Sequence, residues 1–189
     1  MYSKVVVKKQ FFSKEWCESV DKAAAHLPAV PGKSTNSQVP LRKCTVRSIG
    51  KQQPIFKQLY NELMGLVHSN MEHLDVDIYQ NIMSDSFQHI TYNPNDYLKM
   101  HIDTSTIYDS KDPKVNTKLS VVVLLSPRDE YIGGEFVFGG QLANSTQSDV
   151  LDSQGTVAMF TSYTPHEVRP VVSGQRRVLF FWIPGPQWR

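Results

Sequence analysis

A mainly β fold, an antiparallel double-stranded β-helix (jelly roll) with N-terminal helices packed on one sheet, follows from three features of this 189-residue sequence. Two amphipathic helical segments come first, eight short runs rich in β-branched and aromatic residues come after them, and clusters of Gly, Pro and Asn separate those runs. One domain over 1–189 is expected, with helical support over about 1–76 and a jelly-roll core over about 77–184.

Residues 13–27 read as a helix, because Ser13 can cap it and Phe12, Trp16, Val20 and Ala24 recur every four residues. A second helix is expected after Pro54, with Phe56, Leu59, Leu63, Leu66 and Val67 on one face. The segment 28–42 is rich in Pro, Gly, Ser and Asn and reads as a long loop, followed by a short strand over Lys43–Ile49. The expected strands of the core are Asp77–Ile82, Phe87–Tyr92, Tyr97–Asp103, Leu119–Leu125, Glu135–Gly139, Thr156–Phe160, His166–Val172 and Arg177–Ile183. The polar segment 104–117 reads as a loop, and with 28–42 it is expected to close over a substrate.

Composition narrows the function. Twenty Lys and Arg against 18 Asp and Glu leave a net charge of +2, too little to make nucleic acid or an anionic membrane the expected partner. The apolar run Val5–Val7 is broken by Lys8 and Lys9, and no apolar stretch near membrane-spanning length follows, so a cytoplasmic protein is expected. Cys17 and Cys44 are the only cysteines and are expected to be free thiols, so any metal site must use His, Asp and Glu.

Two histidines stand out. His101 and Asp103 are separated by one residue in the run YLKMHID, and strand alternation places both on one face, together with Tyr97 and Lys99. Downstream, His166 opens the run HEVRPVV. Two imidazoles and a carboxylate on adjacent strands make a facial set that leaves coordination positions open, which suits non-haem Fe(II), although the same atoms could hold zinc or manganese. On its own the His-x-Asp tripeptide is a weak signal, and a polar strand face or a local hydrogen bond explains it as simply.

Arg176 adds context. If 166–172 and 176–183 form a hairpin, a two-residue loop turns Arg176 away from His166, whereas a three-residue loop, Ser173–Gln175, brings it to the same face. The three-residue loop is the expectation, with Gly174 supplying the positive φ and Val168, Val172, Val178 and Phe180 around the guanidinium. A guanidinium in an apolar pocket requires an anion, which it can grip through two parallel hydrogen bonds. A metal-chelating head with a remote carboxylate, as in a five-carbon keto-diacid, fits that description. Arg177 is expected to face outward.

The segments TYNPNDYLKMHID, KLSVVVLLSPRDEYIGGEFVFGG, GTVAMFTSYTPHEVRPVVSGQR and FFWI, in that order over roughly 80–184, resemble the Fe(II)/2-oxoglutarate-dependent dioxygenases, most closely the prolyl 4-hydroxylase and PKHD-type hydroxylase branch. The resemblance implies that His101, Asp103 and His166 bind Fe(II), that Arg176 holds the C5 carboxylate of 2-oxoglutarate, and that Tyr92 also contacts the co-substrate. It places Ser120 near the co-substrate and Gly133 and Gly134 in a structural turn. It further implies O2-dependent hydroxylation coupled to decarboxylation of 2-oxoglutarate to succinate, with ascorbate sustaining the ferrous state. The implied substrate is a peptide, protein or free amino acid, with a prolyl side chain foremost. Asn95 and Leu98 depart from the family's usual glycine and aromatic residue, on the substrate side of the pocket. A non-catalytic metal-binding jelly roll and a zinc hydrolase are the rival readings.

The other histidines, His26, His68, His73 and His89, are read as surface or core residues, and Asp75 and Asp77 as turn residues. Trp182 and Trp188 are read as packing residues, with Trp188 placed to rim the site.

Overall fold

A computed structural model describes residues 3–32, 41–79, 86–103, 115–142 and 149–188. Helix α1 (Lys14–Ala25) is capped by Ser13, whose hydroxyl accepts from the Trp16 N–H at 3.2 Å, and it buries Cys17, Val20 and Ala24. Helix α2 (Phe56–His68) begins just after Pro54 and buries the expected face, Phe56, Leu59, Leu63, Leu66 and Val67. A single turn, α3 (Met71–Leu74), ends on Asp75 in the left-handed region at φ 52°.

The strands are β1 (Val5–Lys8), β2 (Val30–Pro31), β3 (Arg42–Lys43), β4 (Thr45–Gly50), β5 (Ser86–Tyr92), β6 (Tyr97–His101) and β7 (Val115–Leu124). There follow β8 (Tyr131–Gly133), β9 (Phe136–Phe138), β10 (Val157–Thr161), β11 (His166–Val168), β12 (Val171–Gly174) and β13 (Arg176–Pro186). A seven-stranded antiparallel sheet runs β1-β10-β7-β13-β5-β4-β2, facing a four-stranded sheet β3-β6-β11-β9 and a two-stranded β12-β8 pair.

Alternation along the central strands builds two cores, one on each face of the large sheet. Leu119, Val121 and Val123 of β7, with Leu179, Phe181 and Ile183 of β13, point outward and pack under α1 and α2. Val122 and Leu124 of β7, with Val178 of β13 and Phe160 of β10, point inward to Phe136, Phe138 and Val168 of the smaller sheet. Being covered on both faces, β7 is apolar without a break from Val121 to Leu124, and its inner layer holds the site.

Several expectations are corrected. The run His166–Val172 is not one strand: Pro170, which lacks an N–H, separates β11 from β12, and the two lie in different sheets. Nor does β12 form a hairpin with β13, which instead lies between β5 and β7. Gly174 turns the chain between sheets at φ 75°, where a Cβ would sit 2.0 Å from the Glu130 carbonyl oxygen. Residues 77–79 carry no strand, and the rest of Asp77–Ile82 lies outside the described residues. The N-terminal Val5–Lys8 is an edge strand on β10 that the sequence reading did not place. Of the two expected lids, 33–40 and 104–114 lie outside the described residues, while 115–117 already belong to β7. Among the described residues no helix is long and apolar enough to cross a membrane.

Candidate active site

The end of β6 and the start of β11 meet with His101 opposite His166 in the ladder. Two residues of β11 span three of β6 between the pairs His166–His101 and Val168–Leu98, a bulge that breaks strict alternation. Leu98 and His101 therefore both line the inner cavity. Tyr97 and Lys99 leave that face: the Lys99 ammonium lies over the Tyr97 ring at 5.6 Å, and Lys99 is exposed. This corrects the expectation that all four side chains share one side.

His101, Asp103 and His166 each aim one ligating atom at a common point, the atoms lying within 4.8 Å of one another. His101 Nε2 stands 3.2 Å from one Asp103 oxygen and His166 Nε2 3.6 Å from the other. The opposite ring nitrogens are spoken for, His101 Nδ1 by the Lys99 carbonyl at 2.9 Å and His166 Nδ1 by the Thr164 carbonyl at 3.0 Å. A carbonyl only accepts, so each Nδ1 carries the proton and each Nε2 keeps its lone pair for a ligand. Ser120 of β7 donates its hydroxyl to the Asp103 carboxylate at 2.5 Å, and the Asp103 backbone N–H donates to the Ser162 carbonyl at 2.7 Å, so side chain and backbone are both anchored.

Electrostatics keep the set ligand-ready. Burial pushes the His166 imidazole down to about 4, with Asp103 pulling the other way, so the ring is neutral at pH 7. Burial opposes charge on Asp103 as well, but His166, His101 and the Ser120 hydroxyl outweigh it and hold the carboxyl below its ordinary value.

The three residues open onto a cavity of about 250 Å³ walled by Tyr92, Leu98, Phe136, Val168, Phe180 and Trp182. Arg176 lines the same cavity, is 0% exposed, and has no hydrogen-bond partner at Nε, Nη1 or Nη2 among the described residues. Tyr92 is its cross-strand neighbour, with the guanidinium 5.6 Å from the ring centroid, and burial raises the phenol pKa. An orphaned buried guanidinium is costly unless an anion joins it. A carboxylate arriving with a chelating group for the imidazole–carboxylate set satisfies both demands.

Arg176 thus reaches the inner face by a different route from the expected hairpin: it is the first residue of an alternating series, Arg176, Val178, Phe180 and Trp182, that lines the cavity from β13. Val172, expected beside it, is 68% exposed. Trp182, read as packing, is a cavity wall with its indole N–H unpartnered among the described residues, while Trp188 lies under the Lys118 ammonium and meets the Tyr163 ring edge to face. Carrying the alternation from Arg176 six residues onward would have found Trp182. Tyr131 was missed altogether: its hydroxyl is buried near Arg176 without a well-aligned hydrogen bond among the described residues, and burial raises its pKa against the pull of that guanidinium. Arg177 points outward, as expected, to Asp21 and Glu130.

The fold is that of prolyl hydroxylases. A viral collagen prolyl hydroxylase from Paramecium Bursaria Chlorella virus-1, solved as a 2OG complex, superposes with a TM-score of 0.69 at 19% identity, covering 96% of each chain. A Pseudomonas putida prolyl-4-hydroxylase gives 0.67 at 19% identity over 98% of this chain and 94% of its own. In sequence, a PKHD-type hydroxylase of Shewanella baltica (strain OS155 / ATCC BAA-1091) is 23% identical over 154 residues, 82% of this chain and 66% of the relative. The chain therefore spans just under two thirds of that relative's length. A PKHD-type hydroxylase of Shewanella sp. (strain MR-7) is 33% identical over 92 residues, 49% of this chain and 39% of its own. The sequence profile of the 2OG-Fe(II) oxygenase superfamily matches residues 87–184, more than half of the chain, including His101, Asp103, His166 and Arg176. On that match, with the paired imidazoles, the carboxylate and the buried arginine in one cavity, the chain belongs to the 2OG-Fe(II) oxygenase superfamily.

Proposed function

We propose that the protein is a 2-oxoglutarate- and O2-dependent hydroxylase, with Fe(II) held by His101, Asp103 and His166 and the C5 carboxylate of 2-oxoglutarate held by Arg176. The observation that carries this reading is the buried Arg176 guanidinium, without a hydrogen-bond partner among the described residues, in the same cavity as His101, Asp103 and His166. A bare metal-binding module has no need of it.

Iron, when bound, supplies the oxidising power: one oxygen atom of O2 enters succinate as 2-oxoglutarate loses CO2, and the other enters a substrate C–H bond. The chain's own part is placement. The two Nδ1–H bonds hold the imidazoles toward the metal, Ser120 steadies Asp103, and Arg176 with Tyr92 orients the dicarboxylate. The apolar wall of Leu98, Phe136, Val168 and Phe180 keeps water out.

The proposed substrate is an amino-acid side chain, foremost prolyl, in a peptide or protein. Support comes from the prolyl hydroxylase names among the structural neighbours, one of which, from Trichoplax adhaerens, is complexed with a peptide fragment (TM-score 0.70, 16% identity, covering 95% of this chain and 83% of its own). Ascorbate is the proposed reductant that returns iron to the ferrous state.

Anaerobic addition of Fe(II) and 2-oxoglutarate is the direct test. A weak visible charge-transfer band that Arg176→Met removes is the expected result, followed by succinate release stimulated by proline-containing peptides. Metal binding without any such band would leave a metal-binding module instead.

A further inference from the structure

The outer face of the seven-stranded sheet carries a second cavity, of about 280 Å³, that the proposed reaction does not use. Thr45 and Arg47 of β4, His89 and Thr91 of β5, Arg177 of β13 and Asp21 of α1 build it. Register makes it a compact polar patch: Arg47 lies opposite His89, Thr45 opposite Thr91, and Arg177 flanks Thr91 from the other side. One step along the same strands the outward positions are Ile49, Phe87 and Leu179, sealed in the helix-covered core. The change from apolar to polar on one continuous face has no account in packing, because polar groups are costly to bury unpaired.

Among the described residues, the ion pairs around this cavity leave Arg47 out. Asp21 spends one carboxylate oxygen on His89 Nε2 at 2.7 Å and the other on Arg177 Nε at 3.0 Å, and Arg177 Nη2 reaches Glu130 at 2.8 Å. Asp21 is the only acidic residue among those lining the cavity, so Arg47 faces it with its charge unmatched. Arg47 Nε is buried without a hydrogen-bond partner among the described residues, and so is Nδ1 of His89, a residue 4% exposed. A forked cation beside two threonine hydroxyls, in a hole with its acidic neighbour already neutralised, is the complement of a small oxyanion.

We infer that this outer cavity is a binding site for a small oxyanion, a phosphate or a carboxylate, gripped by Arg47 with the Thr45 and Thr91 hydroxyls. It lies back to back with the inner cavity, since Arg177–Thr91 and Arg176–Tyr92 are successive pairs of one ladder.

Calorimetric titration of the metal-free protein with inorganic phosphate, and separately with acetate, tests the site. Neither iron nor 2-oxoglutarate is needed, so failure here would leave the proposed hydroxylase reading intact. In the Arg176→Met background, which removes the inner cavity's own buried guanidinium, saturable binding of either anion is expected, weakened at least about tenfold by adding Arg47→Met. The tighter of the two anions tells phosphate from carboxylate as the source. Should Arg47→Met fail to fold, Arg47→Lys and Thr91→Val carry the same expectation, each weakening the binding. Absence of saturable binding into the tens of millimolar for both anions in that background would overturn the proposal, as would binding indifferent to Arg47.

Discussion

The Arg176 guanidinium is sealed inside the inner cavity with no hydrogen-bond partner among the described residues, whereas that of the next residue, Arg177, reaches Asp21 at 3.0 Å and Glu130 at 2.8 Å on the opposite face of the sheet. Strand alternation separates two identical side chains into a buried cation unpaired among the described residues and a partly exposed one held by two carboxylates. The first costs stability that only a ligand restores; the second fastens β13 to α1.

That contrast sets an unusual expectation for Arg176→Met. With no anion present, replacing an unpaired buried charge by an apolar chain of similar length should stabilise the metal-free protein by roughly 1–3 kcal/mol, while the response to 2-oxoglutarate disappears. Thermal melts with and without 2-oxoglutarate measure both. A variant less stable than the wild type would mean that Arg176 is already satisfied.

Removing any of the three proposed ligands, as in His101→Ala, Asp103→Ala or His166→Ala, should abolish turnover with the fold retained, judged by succinate release and circular dichroism. Ser120→Ala should be milder. It removes the 2.5 Å hydrogen bond to Asp103 and is expected to weaken Mn(II) or Fe(II) affinity about 10- to 100-fold. Wild-type metal affinity in that variant would show that Asp103 needs no support from β7.

The pH dependence of the metal-free protein should carry the mark of His166. Its ring titrates near 6.5 in the unfolded chain and at about 4 in the folded one, so between those values the unfolded state binds the extra proton. This contribution leaves stability level above pH 6.5 and lowers it as pH falls toward 4. Urea midpoints at pH 7 and pH 5, with a chelator present, should differ less for His166→Gln than for the wild type. Equal differences would mean that protons reach His166 freely in the folded protein.

Gly134 sits at φ 67°, and a Cβ there would lie 2.9 Å from Arg176 Cδ and 3.0 Å from Val171 Cγ2. Gly134→Ala should therefore cost about 1–2 kcal/mol in strain and displace the arginine, raising the KM for 2-oxoglutarate. Steady-state kinetics against 2-oxoglutarate, run beside a melt, separates the two effects. An unchanged KM would show that Arg176 yields without losing its grip.

Local pattern determined much of this protein. The helical faces of 14–25 and 56–68, most of the core strands and the pairing of His101 with Asp103 are all set by spacing within a dozen residues, because helix and strand periods depend only on the backbone. Four ordered segments were enough to show the resemblance to the oxygenases. What the sequence left undecided was every relation that depends on which strands become neighbours. The bulge in β6 takes Tyr97 and Lys99 off the ligand face, and Pro170 splits the run after His166. Insertion of β13 between β5 and β7 brings Arg176 and Trp182 into the cavity. Those outcomes rest on contacts between segments far apart in the chain, and only packing in three dimensions could select them.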